Sequence, residues 1–339
     1  MESEKVPPGA DEHLEELCRN RSLETEEIFG WNAFYGIDQI IKTYASLFEQ
    51  YSLKGVWPHG LVFDPRKVLE AERKTALPTV FCYPPYRVSA YREHTDKRVI
   101  PSAHPFLYLL DMVDAEEGER EGTLFFPQHS THHVTAEMNY AALAENLAAL
   151  ERKYQPVTVC LYWKDYNLGR AVPFREKGLS VTSAGHMFDP AFLYRFYNLC
   201  TRHEYAAGNG IGSHIFYSVA AGCSYFHVEG VDYELTGDEE VLERDTAEPD
   251  DDIVHRVRDT FGPRPPSSIE KQKQEAGYFL GADYKKSQTG LLKDLMWAEL
   301  FDKFRVPPGE KNTRAQYFPT FWQRGLIPKL RSMKSKVIG

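Results

Sequence analysis

The sequence has few cysteines, no long apolar run and no surplus of positive charge. Its five cysteines are widely spaced, so neither a disulfide framework nor a Cys-x-x-Cys zinc site is predicted. No apolar run approaches the roughly 20 residues needed to cross a bilayer. The net charge, 40 − 49 = −9, argues against general nucleic-acid binding, because neutralising phosphates requires surplus Lys and Arg.

Several catalytic signatures are also missing. There is no G-x-x-x-x-G-K-[ST] loop, no G-x-S-x-G elbow and no H-E-x-x-H pair, which argues against P-loop NTPases, serine hydrolases of the α/β type and zinc proteases. The acidic, polar start MESEKVPPGADEHLEEL is unlike a secretory signal. With so few cysteines, the expected compartment is the reducing cytoplasm.

The 339 residues are ordinary globular composition, 42% hydrophobic and 26% charged, and their number favours two domains. Strand-like and helix-like segments alternate along the chain, which predicts an α/β fold with a parallel sheet. We divide the chain into an N-terminal α/β domain with a leading helix, a Rossmann-like domain, an acidic linker and a C-terminal helical extension. These cover 1–118, 119–235, 236–266 and 267–339.

The predicted elements follow from hydrophobic periodicity and turn residues. Strands are expected at 55–63, 79–83, 98–100, 122–127, 156–163, 179–183, 204–207 and 224–228. Helices are expected at 26–50, from Asp64 onward, and at 138–153, 189–200, 213–221 and within 268–339. The first 24 residues are predicted to be a polar arm.

The C-terminal segment from Lys303 carries nine Lys/Arg and one acid, interleaved with aromatic and aliphatic residues. Two interpretations stay open. The segment packs on the domains with a solvated basic face, or it makes a peripheral contact with an anionic membrane surface.

The strongest local motif is the strand–GNGIGSH–helix at 208–214. Glycines allow close approach of a ligand, and the N–H groups at a helix start attract phosphate. Gly212, Ser213 and His214 are therefore candidate phosphate-binding residues, and Glu229, at the end of the next strand, is a candidate for ribose hydroxyls. The alternative is an ordinary Gly-rich turn. The spacing is GxGxG, which does not match the dinucleotide fingerprint.

Two further polar loops follow strands of the predicted sheet. His129, Ser130, Thr131 and His132 follow GTLFFP, and His186 lies in VTSAGHMFDP. Ligands bind beyond the carboxyl ends of strands in open parallel sheets, so these residues are candidate donor-binding groups. Three His in five residues also raise a metal site, but no nearby Asp or Glu completes one, and we predict no metal and no cofactor.

In the N-terminal half, His59 in GVWPHGLVF is a candidate general base, because a His titrates near neutral pH. A lone His is also often structural. The carboxylate of Asp64, five residues later, is a second candidate base.

The order of these motifs resembles bacterial GT-B glycosyltransferases, nearest to surface-polysaccharide enzymes of the polysialyltransferase, Kdo-transferase and CDP-glycerol-polymerase kind. The resemblance covers roughly 55–230. It rests on W-x-H-G at 57–60, VIPSAHP, FFPQHSTHH, TSAGH and NGIGSH followed by AAGCSYF. The small N-terminal domain and GSH, in place of paired serines, depart from the family pattern.

The resemblance implies two Rossmann-like domains, with the donor nucleotide on the C-terminal one, the acceptor on the N-terminal one and no metal requirement. It implies transfer of a sugar from a nucleotide-activated donor, with a CMP-linked acid sugar as one candidate, to a glycan or lipid-linked acceptor. A nucleotide-sugar epimerase, a phosphotransferase and a non-catalytic carbohydrate-binding relative remain alternatives.

Overall fold

The structure is a computed structural model that describes residues 10–114, 118–237 and 251–304. Within these ranges the protein is a mixed α/β fold with 13 α-helices and nine strands. The strands are β1 (Thr79–Cys82), β2 (Arg98–Pro101), β3 (Thr123–Phe126), β4 (Val134–Met138), β5 (Val157–Cys160), β6 (Ser180–Thr182), β7 (Tyr205–Gly208), β8 (Ser224–His227) and β9 (Tyr233–Gly237).

The α-helices surround these strands. They are α1 (Ala10–Cys18), α2 (Ile37–Tyr44), α3 (Glu70–Lys74), α4 (Pro85–His94), α5 (Pro105–Leu109), α6 (Tyr140–Ala148), α7 (Trp163–Asn167), α8 (Ala171–Glu176), α9 (Phe192–Thr201), α10 (Ser213–Ala220), α11 (Asp251–Phe261), α12 (Ile269–Phe279) and α13 (Gln288–Phe304). Short 3-10 helices cover Gly30–Gly36, Arg152–Tyr154 and Ala282–Tyr284.

The main sheet has five parallel strands in the order β6-β5-β3-β7-β8. The chain starts in the centre at β3, builds outward through β5 and β6, then crosses to β7 and β8 on the other side. Thr123 of β3 is paired with Val157 on one side and Tyr205 on the other. This is a doubly wound, Rossmann-like arrangement, as predicted for this part of the chain.

Both faces of this sheet are buried, which explains the continuous apolar runs in its strands. In β3, Leu124 and Phe126 face one core, which contains α9, α10 and α12 residues. Phe125, between them, faces a second core with residues of α6 and α8. The alternation follows from the two-residue period of a strand.

A smaller parallel sheet pairs β1 with β2, and Val56 adds a parallel bridge to Val80. Its strands at 79–83 and 98–100 are confirmed as β1 and β2. The residues Phe81 and Ile100 belong to the same apolar core as Leu124 of the main sheet. The two sheets therefore share one core.

Some predicted elements differ from the structure. The helix predicted over 26–50 is reduced to a 3-10 turn and α2, because Phe34 and Tyr35 adopt non-helical backbone angles, with Tyr35 at φ 60°. The strand predicted over 55–63 forms only the bridge at Val56. The helix predicted from Asp64 is a turn in which the Asp64 carboxylate accepts the Arg66 N–H at 2.8 Å. The helix of 138–153 is shorter, since 134–138 forms β4.

The polar arm predicted for the first 24 residues was wrong in part, because α1 packs Leu14, Leu17 and Cys18 around Trp163. The antiparallel pair of β4 and β9 was not predicted. Residues 238–250 of the predicted acidic linker and 305–339 of the predicted C-terminal extension lie outside the described residues. Among the described helices, none has the length and apolar character that a membrane span requires.

Candidate functional site

The main sheet has its switch point between β3 and β7, where the chain direction of winding reverses. In such sheets the carboxyl ends of the two central strands leave a crevice for ligands. Here the ends are joined, because the backbone N–H of Gln128 donates to Asn209 Oδ1 at 2.8 Å. The loops that carry the sequence motifs thus start from adjacent strands.

A wide cleft of about 2580 Å³ opens at this edge and reaches across to the N-terminal unit. Gln128, Asn209 and Tyr225 contribute to it from the main sheet, and His59 and Leu61 from the N-terminal half. Its volume exceeds the range of roughly 300–1,000 Å³ that holds one small ligand. The cleft has room for two substrates side by side.

Five of the predicted site residues line this cleft. They are His59, Asp64, Thr131, His132 and Glu229. The other six belong to segments that form its wall but are not part of its lining. They are His129, Ser130, His186, Gly212, Ser213 and His214.

His59 is placed by a buried amide. The side chain of Asn32 donates to Gly55 O and accepts the N–H of Trp57, both at 2.9 Å, so it fixes the chain just before the His59 loop. The half-buried imidazole of His59 lies edge-on to the rings of Trp31 and Phe34, with centroid distances of 5.3 and 5.1 Å. The position of this ring is set by aromatic packing on the N-terminal side.

The Gly-rich turn leads directly into α10. Gly212 is the residue before the helix, in extended conformation at φ −164° and ψ 175°, and no side chain caps the helix start. The backbone N–H groups of the first turn carry partial positive charge and lack the intrahelical partners of later residues. The preceding Ile211 and the following Ile215 line the cleft, so the helix starts at its wall.

The glycines of this turn make room for protein side chains. A Cβ on Gly210 would lie 1.9 Å from the Gln128 Oε1, and one on Gly208 would lie 2.6 Å from the Tyr225 hydroxyl. Their need for glycine is therefore explained by close packing between β3, β7 and β8. This accounts for the motif without a ligand at those two positions.

Ser213 connects the two sides of the cleft. Its Oγ accepts the backbone N–H of Leu61 at 3.1 Å, two residues after His59. A Cβ on Gly60 would lie 3.8 Å from the same oxygen. The loop that carries the candidate base therefore rests on the start of α10.

His214 points into the wall. Its Nε2 lies 3.3 Å from the Tyr225 hydroxyl, and its ring packs 5.2 Å from the ring of Phe126. Burial lowers the pKa of His214 to about 3, with His129 and His227 acting in the same direction. The imidazole is neutral near pH 7 and acts in packing the helix start onto β8.

The loop after β3 divides its predicted residues between wall and lining. Ser130 is buried, donates to Asp165 Oδ1 at 2.6 Å and accepts the Ala136 N–H at 3.0 Å. Its hydroxyl is thus used to hold the loop, which contradicts the expectation that it donates to a ligand. Thr131, the next residue, lines the cleft.

The histidines of this region are held by burial and aromatic contacts. His129 lies 4.8 Å from the Tyr162 ring, and burial lowers its pKa. His132 stacks on Phe188 at 5.2 Å, and burial, followed by the charges of His133 and Lys164, lowers its pKa.

His186 is fully buried, and its Nδ1 accepts the Phe188 N–H at 3.1 Å. Burial lowers the pKa of His186 to about 4. It is a structural residue of the loop after β6.

Glu229 follows β8 and is exposed at the cleft. The sequence analysis missed Gln128, Asn209 and the two cleft-lining cations Arg258 and Arg264. Gln128 and Asn209 adjoin predicted motifs, and their place after two central strands was a usable signal. The cations come from a segment that was assigned to a linker, and only the tertiary packing brings them to the cleft.

The acid and base side chains of the described ranges form no group of three or more His, Cys, Asp or Glu that could hold a metal ion. What the arrangement offers instead is hydrogen-bond donors. A helix start, the hydroxyls of Thr131 and Ser213 and the cations of α11 surround one end of the cleft.

No protein-family model and no curated protein matches this chain. Two solved structures are similar to it. The first is S. aureus MnaA in complex with UDP, with a TM-score of 0.40 and 10% identity over 85% of this chain and 83% of that one. The second is the pneumococcal O-GlcNAc transferase GtfA with UDP and GlcNAc, with a TM-score of 0.35 and 10% identity over 80% of this chain and 56% of that one.

Proposed function

We propose that this chain is a glycosyltransferase that moves a sugar from a nucleotide-activated donor to a glycan or lipid-linked acceptor. The observation that carries the proposal is the contact between the His59 loop and the start of α10, made by Leu61 N–H and Ser213 Oγ at 3.1 Å. It brings a candidate base and a candidate anion site together beside a cleft large enough for two substrates.

The donor occupies the end formed by the main sheet. Its phosphate lies at the start of α10, where the N–H groups of the first turn and the hydroxyls of Ser213 and Thr131 donate hydrogen bonds. Glu229, exposed at the same end, accepts from ribose hydroxyls. These donors stabilise the departing phosphate without a metal ion. Ser130 and His214 take part only by holding the loops.

The acceptor approaches from the N-terminal side. His59 accepts the proton of the attacking hydroxyl, and the carboxylate of Asp64 is the second candidate for this role, since both line the cleft. The rings of Trp31 and Phe34 beside His59 offer apolar faces to a sugar. The negative charge that develops on the leaving phosphate and the proton removed from the acceptor are thus handled on opposite sides.

Several finer parts of the proposal rest on the sequence resemblance. They are the GT-B arrangement of two Rossmann-like domains with the divisions 1–118 and 119–235, a role in surface polysaccharide synthesis and a CMP-linked donor. The two parallel sheets that adjoin one cleft are compatible with such an arrangement. The basic segment from Lys303 supplies a peripheral contact with the inner face of the membrane.

The test is a transfer assay with CMP-, UDP-, GDP- and CDP-linked sugars and oligosaccharide acceptors, with products identified by mass spectrometry. His59→Ala and Ser213→Ala are each expected to abolish transfer while circular dichroism shows an intact fold. Asn146→Ala, at an exposed position on the cleft rim, is the control. Full turnover in both variants would refute the mechanism. A changed sugar without an acceptor would identify an epimerase.

A further inference from the structure

A buried polar chain lies beneath the start of α10. His104 is fully buried and precedes α5, where its Nδ1 accepts the Phe106 N–H at 3.0 Å and caps that helix. Its Nε2 lies 2.7 Å from the hydroxyl of Tyr217, on α10. This contact joins the N-terminal unit to the helix that starts at the cleft.

The proton positions in this chain follow from its geometry. Because Nδ1 of His104 accepts a backbone N–H, the proton of the neutral ring is on Nε2. Burial lowers the pKa of His104 to about 3, so the ring is neutral near pH 7. Nε2–H therefore donates to the Tyr217 oxygen, and the hydroxyl proton of Tyr217 is available for another acceptor.

The neighbouring hydroxyl is that of Ser213, four residues before Tyr217 on the same helix face. The two hydroxyls lie within hydrogen-bonding reach. Ser213 Oγ already accepts the Leu61 N–H. A serine oxygen accepts two hydrogen bonds and donates one, so a bond from Tyr217 fills its second acceptor position.

We propose that His104 and Tyr217 are positioning residues that fill both acceptor positions of Ser213, so that its proton is presented to an anionic oxygen at the start of α10. The same hydroxyl keeps the Leu61 N–H, and with it the His59 loop, at the helix start. The inference rests on the proposed function, because the anion is the phosphate of the donor nucleotide. It deepens that function by assigning how the buried wall sets the polarity of one ligand-binding hydroxyl.

The first test does not require a ligand. Nitrogen-15 NMR of the His104 ring in the full chain at about pH 7 is expected to show a protonated Nε2 and an unprotonated Nδ1. A proton on Nδ1, or a charged ring, overturns the proton order on which the inference depends. This result is independent of whether the protein binds nucleotides.

The second test is a double-mutant cycle on affinity for whichever of CMP, CDP, UDP and GDP the wild type binds most tightly. Tyr217→Phe is expected to weaken binding about fivefold to twentyfold, because the Ser213 hydroxyl loses its fixed orientation. In a Ser213→Ala background, the same change is expected to alter binding less than about twofold. A merely structural role would weaken binding equally in both backgrounds, and that result overturns the inference.

Two further variants keep this test decisive. His104→Asn retains a side-chain cap for α5 but removes the donor to Tyr217, and it is expected to reproduce the Tyr217→Phe effect if that variant does not fold. Tyr108→Phe removes another buried hydroxyl, which lies 3.1 Å from Ser102 Oγ, and is expected to leave nucleotide affinity unchanged. If the wild type binds none of the nucleotides, the proposed function fails, whereas normal binding without coupling refutes the positioning role alone.

Discussion

The side-chain oxygen of Asn32 accepts the backbone N–H of Trp57 at 2.9 Å, and its amide nitrogen donates to Gly55 O at the same distance. Asn32 is fully buried, so both hydrogen bonds are made away from water. The two bonds hold the segment that leads to His59. The orientation of the candidate base therefore depends on a residue 27 positions earlier in the sequence.

Asn32→Ala is expected to lower both stability and turnover. The substitution leaves a buried N–H and C=O without their partner, which costs on the order of 1–3 kcal/mol for each unsatisfied group. Urea unfolding measures the first effect, and kcat measured well below the unfolding transition measures the second. Asn146→Ala, exposed on the cleft rim, is the control. An unchanged kcat in a destabilised Asn32→Ala protein would contradict the positioning of His59 by Asn32.

Lys42 stabilises the same region through a buried network. Its Nζ lies 2.6 Å from Glu27 Oε1 and 2.8 Å from Asp38 Oδ2, with each side chain almost completely buried. Removing one member leaves uncompensated buried charge, so Lys42→Ala is expected to lose about 3–5 kcal/mol of unfolding free energy.

The ion pair of Lys177 and Glu145 is the matched control for Lys42. Its N···O distance is 2.8 Å, but both side chains are exposed. Because water screens exposed charges, Lys177→Ala is expected to leave the urea midpoint nearly unchanged. Equal losses in the two variants would show that burial does not set the strength of the Lys42 network.

Ser130 and Thr131 are expected to respond in opposite ways. Ser130→Ala breaks the buried bonds to Asp165 and Ala136 and is expected to lower stability by about 1–3 kcal/mol, with little change in nucleotide affinity when the protein is folded. Thr131→Ala, in the cleft lining, is expected to weaken nucleotide binding more than it lowers stability. Thermal unfolding and calorimetric titration of both variants give the comparison. A reversed pattern would assign the ligand contact to Ser130.

Three buried histidines make the fold sensitive to acid. Burial lowers the pKa of His104 and His214 to about 3 and that of His186 to about 4. An unfolded chain takes up these protons below about pH 6.5. Between that pH and about pH 4 the unfolded state binds more protons than the folded state, so the free energy of unfolding falls as the pH falls.

The stability that these groups contribute is therefore fully present above about pH 6.5. Urea midpoints measured at about pH 7, 6 and 5 are expected to decrease in that order. His104→Asn removes one of the three groups and is expected to flatten the dependence. A midpoint that stays constant between about pH 7 and 5 would mean that the histidines take up protons without unfolding.

Much of the main sheet follows from the sequence because its strands are buried on both faces. β3, β5, β7 and β8 appear as short apolar runs between helical segments, and a parallel sheet follows from their alternation. The loops after these strands were likewise expected at one edge. Thr131, His132 and Glu229 were found there by this reasoning.

Other elements lack a local signal. The helix α4 places a buried Arg87 beside Tyr91 and Glu72, so its sequence has no apolar stripe. The pairing of β4 with β9 joins segments about 100 residues apart. Such elements depend on tertiary partners, which the hydrophobic period of a single segment does not contain.

Side-chain roles within a motif were also beyond sequence reasoning. Ser130 and Thr131 are adjacent hydroxyls with the same predicted role, and only the contact with Asp165, 35 residues away, assigns one to the wall. His214 and Ser213 differ in the same way, since the Tyr225 contact of His214 comes from the next strand. Motifs predicted the location of the site, and packing determined which atoms reach it.

The central claim is that the start of α10 binds the phosphate of a nucleotide. The most direct measurement is calorimetric titration of the wild type and Ser213→Ala with CMP, CDP, UDP and GDP, each compared with its own nucleoside. We predict that at least one nucleotide binds at least tenfold more tightly than its nucleoside and that Ser213→Ala removes most of this difference. Equal affinity for nucleotide and nucleoside, or a difference that Ser213→Ala leaves intact, would contradict the account.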